Sequence, residues 1–79
     1  MRVIEYEVQV EKEDGVLLDT QLFEYLHDAV GVAVSEAYYW GIPVKIWEYV
    51  MENDEFVDYG CRFWEVMCDK DWNIKVEAY

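Results

Sequence analysis

Basic side chains are the scarcest resource of this 79-residue chain: six Lys and Arg stand against eighteen Asp and Glu, and none of the six falls between Lys12 and Lys45. Phosphates need cations to meet them, and six scattered ones make no basic stripe, which argues against direct binding of nucleic acid. The same shortage excludes attraction to an anionic membrane surface. Long apolar runs are missing too, so no stretch approaches the 18 residues of a membrane span, and the start, Met1-Arg2-Val3-Ile4-Glu5, acquires an acid at once, unlike a signal peptide. The expectation is a cytoplasmic protein.

Histidine, cysteine and glycine are equally sparse. His27 is the only histidine, and nucleophilic catalysis wants a Ser or Cys with a His beside it and a third group to orient that His. Cys61 and Cys68 lie seven apart, on opposite faces if both belong to one strand, and read as free thiols of a cytosolic protein rather than a disulfide. No pair of Cys or His has zinc-ligand spacing. Four glycines, none clustered, exclude a phosphate-cradling loop. Carboxylate pairs abound, but with eighteen acids many pairs are close by chance, so no general acid and base can be nominated. Asp69, Asp71 and Asn73 match the first three ligand positions of an EF-hand loop, yet Ile74 stands where Gly is required and the sequence stops before the twelfth position. A non-catalytic protein without metal or cofactor is therefore expected.

What is plentiful is apolar and aromatic mass. Four Trp, seven Tyr and three Phe, within an apolar fraction of 54%, mark a folded protein and not an acidic disordered tail. Residues 1–79 make one domain with one core.

The stretch Asp19–Trp40 predicts the helix. Leu22, Leu26, Ala29, Val30, Ala33, Ala37 and Trp40 form one apolar stripe on a 3.6-residue wheel, Asp19 or Thr20 can cap its start, and Gly41 and Pro43 end it. Glu24, Asp28, Gly31 and Ser35 lie opposite that stripe, with no Lys four residues away to support the acids. Residues 2–12 alternate as a half-buried strand, with Ile4, Tyr6, Val8 and Val10 inward and Glu5, Glu7, Gln9 and Glu11 outward. Glu13-Asp14-Gly15 is a turn, and Val16-Leu17-Leu18 an optional short strand. Further strands are expected over Val44–Met51, over Phe56–Cys68 with a bulge near Gly60, and from Trp72 to the end. The fold class is thus α+β, one long helix on a mostly antiparallel sheet of about four strands in the order β-α-β-β-β.

One helix covers one sheet face, and both faces of the later strands carry large apolar groups. Lys45, Trp47, Tyr49 and Met51 alternate with Val44, Ile46, Glu48 and Val50, while Phe63 and Met67 alternate with Trp64 and Val66. The uncovered face is expected to be an interaction surface, the alternatives being a sheet curled on itself or the seam of a homodimer. A formal charge of −12 exceeds the roughly 2 to 8 that keeps a small domain soluble, so the surplus either reflects a high-salt source or has a partner. The carboxylates offered to it are Glu5, Glu7, Glu11, Glu13, Asp14, Glu24 and Asp28, and the aromatic anchors Trp47, Tyr49, Trp64 and Tyr59. The partner such a surface fits is a basic nucleic-acid-binding protein or complex.

A short chain opening Met1-Arg2-Val3-Ile4, loaded with Glu5, Glu7, Glu11, Glu13 and Asp14 and carrying Trp47-Glu48-Tyr49 and Phe63-Trp64-Glu65, resembles in kind the small acidic proteins by which phages inhibit host defence. These include DNA mimics of restriction systems and several anti-CRISPR proteins. The resemblance rests on whole-chain attributes and transfers no site residue by residue. It implies an inhibitor, acting in the host cytoplasm, that occupies the nucleic-acid or PAM-reading channel of a defence complex through basic side chains there, without catalysis. The alternative is a small interaction or antitoxin-like subunit, homodimeric through its aromatic sheet face.

Overall fold

The alternating N-terminal segment forms β1 (Arg2–Glu11), with Val8 and Val10 buried and the odd-numbered residues on the other face. The computed structural model describes residues 2–53 and 55–79, without the side chains of residues 56–61. At the first turn Gly15 takes φ 86°, a left-handed conformation costly for any residue with a Cβ, and Gly15 N–H donates to Lys12 O at 2.9 Å. The chain continues through β2 (Leu17–Phe23), α1 (Leu26–Trp40), β3 (Val44–Glu52), β4 (Glu55–Cys68) and β5 (Ile74–Ala78). All pairings are antiparallel, in the order β2-β1-β3-β4-β5. The helix carries the chain back across the sheet from the β2 edge, which places β3 on the free side of β1. The β3-β4-β5 meander then completes an α+β fold with one helix and five strands. No described helix is long and apolar enough to cross a membrane.

Two expectations are corrected here. The helix starts at Leu26 rather than Asp19, and the optional short strand is a full seven-residue strand, so the sheet has five strands and not about four. Leu22 and Leu26 are four apart and imitate a helical stripe, but Leu22 lies in β2 and is exposed. The pairing of β1 with β2 shifts between Val10↔Asp19 and Glu11↔Leu17, leaving Leu18 as the extra residue. That bulge turns Leu18 onto the core, where Phe23 also packs at the other end of the strand, and the odd spacing of the two conceals the period-2 pattern. Asp19 does not cap a helix; its carboxylate accepts from Thr20 N–H at 2.9 Å and from Gln21 Nε2 at 3.0 Å. The actual N-cap is Tyr25, which makes no side-chain cap.

Three alanines set how closely the helix approaches. Ala29, Ala33 and Ala37 are fully buried at successive i, i+4 positions, against Val8, Val10, Val44, Ile46 and Val66 from the sheet. Leu26, Val30, Val34 and Tyr38 pack along the flanks. Gly41 ends the helix at φ 70°, its N–H donating to Ala37 O at 2.9 Å. Among the described residues no atom lies within 4 Å of where a Cβ on Gly41 would stand, so Gly41→Ala meets only the conformational penalty. We expect a loss of about 1 kcal/mol, a drop of roughly 4–8 °C in Tm by circular dichroism.

The expected bulge near Gly60 falls where the β3–β4 pairing shifts. Trp47 faces Phe63 and Tyr49 faces Tyr59, so residues 60–62 stand opposite Glu48 alone. Glu48 is 9% exposed, and Arg62 Nη1 lies 3.7 Å from its Oε1. Burial, and then Glu48 beside it, push the Tyr6 hydroxyl pKa above its ordinary value. Cys68 is a buried free thiol; the expectations for the Cys61 and Tyr59 side chains lie outside the described residues.

Candidate functional site: the open face of the sheet

Alternation in each strand and register between strands decide what the uncovered face shows. With Val8, Ile46 and Val66 under the helix, the opposite face receives Val3, Glu5, Glu7, Gln9 and Glu11 from β1 and Lys45, Trp47, Tyr49 and Met51 from β3. Phe63, Glu65 and Met67 come from β4, Lys75, Glu77 and Tyr79 from β5 and its end, and Thr20 and Leu22 from β2.

Registration turns three of these side chains into a ladder. Trp47 lies beside Phe63 with ring centroids 4.6 Å apart, and Phe63 stacks on Tyr79 at 4.8 Å with planes 11° apart. The backbone pairing that seats Tyr79 runs beyond β5, with Tyr79 N–H donating to Phe63 O at 2.8 Å. Lys45 Nζ stands 5.7 Å from the Trp47 centroid and 5.6 Å from that of Phe63, within cation–π range. The Trp47 indole Nε1 is buried and has no hydrogen-bond partner among the described residues. A donor left so is costly, and such groups warrant a functional explanation.

Carboxylates border the ladder. Glu7 Oε1 accepts from Tyr49 OH at 3.1 Å and also from Gln9 Nε2. Glu77 is held by Lys75 Nζ at 2.7 Å and by the Tyr79 hydroxyl at 2.6 Å, which together hold its carboxyl below the ordinary range, while the bond to Glu77 raises the Tyr79 hydroxyl. Glu65 is the cross-strand neighbour of both Lys45 and Glu77. Among the described residues the face therefore bears Glu5, Glu7, Glu11, Glu65 and Glu77 against Lys45 and Lys75.

Comparison with protein-family models, with curated proteins and with solved structures finds no match to this chain. The site thus rests on its own geometry.

That geometry separates the residues singled out from sequence. Glu5, Glu7, Glu11, Trp47 and Tyr49 come together on the open face. Glu13 and Asp14 sit in the β1–β2 turn at its border, where Asp14 Oδ1 accepts from Val16 N–H at 3.1 Å. Glu24, just before the helix, and Asp28, in its first turn beside His27 at 3.4 Å, belong to the helix side of the sheet. Trp64 is corrected as an anchor: it is 9% exposed in the core, edge-on to Tyr6 at 5.9 Å, because its even register puts it under the helix layer. Phe63, Glu65, Glu77 and Tyr79 were not singled out; carrying the outward alternation across all strands would have found them.

The Asp69 carboxylate organises the turn that precedes β5. The Asp69 carboxylate accepts from Asp71 N–H, Asn73 N–H and Asn73 Nδ2, each at 2.9 Å, and the bonds from Asn73 hold it below its ordinary pKa. Among the described residues no group of three or more His, Cys, Asp or Glu is placed to hold a metal.

Proposed function

We propose that this protein is a non-catalytic inhibitor that seats the open face of its sheet in the nucleic-acid-binding groove of a DNA-binding defence complex, as a mimic of DNA. The observation that carries this reading is the alignment of Glu5, Glu7 and Glu11 on the face that also bears Trp47 and Tyr49. Outward residues of a strand recur every 6.6–6.8 Å or so, about twice the 3.4 Å of axis per phosphate in one strand of B-DNA. A row of acids can thus stand in for alternate phosphates. Steering by opposite charge gives fast association, and the aromatic rings supply the slow release. The partner is a basic protein, the action needs no cofactor, and the host cytoplasm is where it would occur.

The test is competition. A panel of basic DNA-binding proteins, including restriction and CRISPR effector complexes, is titrated with the chain while salt is raised from 50 to 200 mM or so. Binding that weakens at least about tenfold over that range, and that duplex DNA displaces, is the expected result. Indifference of every cationic protein at low salt would overturn it.

The aromatic ladder also favours a second reading, a homodimeric interaction or antitoxin-like subunit joined through this face. Two copies face to face would oppose like-charged rows, which argues against it. A dimer on gel filtration that basic proteins leave unchanged would favour it.

A further inference from the structure

We infer that the occupant of this face is an arginine-bearing segment of the partner protein, whose guanidinium groups lie on the Trp47–Phe63–Tyr79 ladder between the bordering carboxylates. This rests on the proposed function and deepens it by naming the partner chemistry. Charge alone would accept lysine and arginine equally. The ladder discriminates between them.

Three features of the face point to arginine. Phe63 and Tyr79 stack on each other at 11° and 4.8 Å, and Tyr79, which ends the ladder, is 57% exposed, so another planar group can extend the stack at that end. A guanidinium is planar and weakly hydrated and stacks on such a surface, whereas an ammonium is a compact, strongly hydrated point charge. The carboxylates of Glu65 and Glu77 are cross-strand neighbours in the row beside the rings, and Glu7 flanks Trp47 at the ladder's other end. Glu65 supplies the oxygens that a guanidinium fork engages, while Glu77, already held by Lys75 and Tyr79, and Glu7, held by Tyr49 and Gln9, add negative charge on either side. Finally, Lys45 already holds its ammonium 5.6 Å from the Phe63 centroid. The ladder accepts a cation, and Lys45 is the incumbent that an incoming arginine displaces. A nucleobase could stack on the same rings, but its phosphates would be repelled by the acids.

The experiment uses two synthetic peptides of equal charge, one of alternating Arg and Ser and one of alternating Lys and Ser, titrated against the intact chain and followed by calorimetry. The arginine peptide should bind about tenfold more tightly. Lys45→Gln should raise its affinity about threefold by removing the incumbent. Tyr79→Ala, at the exposed end of the ladder, should cut the preference toward unity while far-UV circular dichroism stays unchanged; Tyr79→Phe, which keeps the ring, should retain it. Equal binding of the two peptides, binding of neither, or a preference that survives Tyr79→Ala overturns the inference. A preference for arginine without capture of any DNA-binding protein leaves this inference standing and removes the DNA-mimic reading; capture of such proteins without the preference does the reverse.

Discussion

Reversing Glu5, Glu7 and Glu11 to Lys is expected to weaken partner binding by at least about 100-fold while the fold survives. Each exchange removes an attraction and adds a repulsion in the same row, and about 1 kcal/mol per site compounds to two decades or more. The three side chains lie on the uncovered face of β1, where no helix packs. Reversal changes the formal charge by +6, from −12 to −6, and so relieves self-repulsion. The cost inside the molecule is the acceptor that Glu7 offers Tyr49 and Gln9, about 1 kcal/mol. Affinity across a salt series, with circular dichroism as the fold control, checks the prediction. Glu24→Gln with Asp28→Gln, on the helix side, should leave affinity unchanged. Undiminished affinity of the triple variant would show that the β1 row is not the contact.

Trp64→Ala is expected to have the largest effect on stability, about 3–5 kcal/mol. The ring is enclosed by the helix layer, by Tyr6 at 5.9 Å and by the Arg62 guanidinium 5.2 Å from its centroid, so truncation opens a cavity within the core. Small domains have total stabilities at the low end of about 5–15 kcal/mol, so this variant should be largely unfolded at 37 °C. Trp47→Ala makes the opposing case. Its ring is half-buried on the open face, and its indole N–H, without a partner among the described residues, offsets part of what the ring contributes. Urea denaturation of both variants should show a collapse for Trp64 and a modest shift for Trp47, whereas partner binding should fall for Trp47 with the fold intact. A Trp64 variant that stayed folded and merely lost its partner would place that residue back on the surface.

How far these placements were legible differs by element. The alternation of residues 2–12 identified β1 and its acidic outer row, because period 2 is a local property of a strand buried on one side. The stop at Gly41 was readable for a similar reason, since a residue free to adopt positive φ followed by Pro43 ends a helix whatever it packs on. β2 was concealed by its own bulge: Leu18 and Phe23 both reach the core across an odd spacing, and the Leu22–Leu26 interval mimics a helical turn.

Sequence by itself determined the fold class, the excess of negative charge, and the presence of more large apolar groups than one helix can cover. Tertiary structure decided which of them remain outside. Trp47 and Trp64 look alike in a sequence where both faces of a strand are apolar, and it is the helix, lying on the even-numbered residues of β3 and β4, that buries one and leaves the other on the open face. Cross-strand register then brings Phe63 and Tyr79, remote in sequence from Trp47, into a single ladder beside Glu65 and Glu77. Periodicity is carried by neighbouring residues, whereas register and burial are set by contacts between distant segments, and the surface argued for here is a product of the second kind.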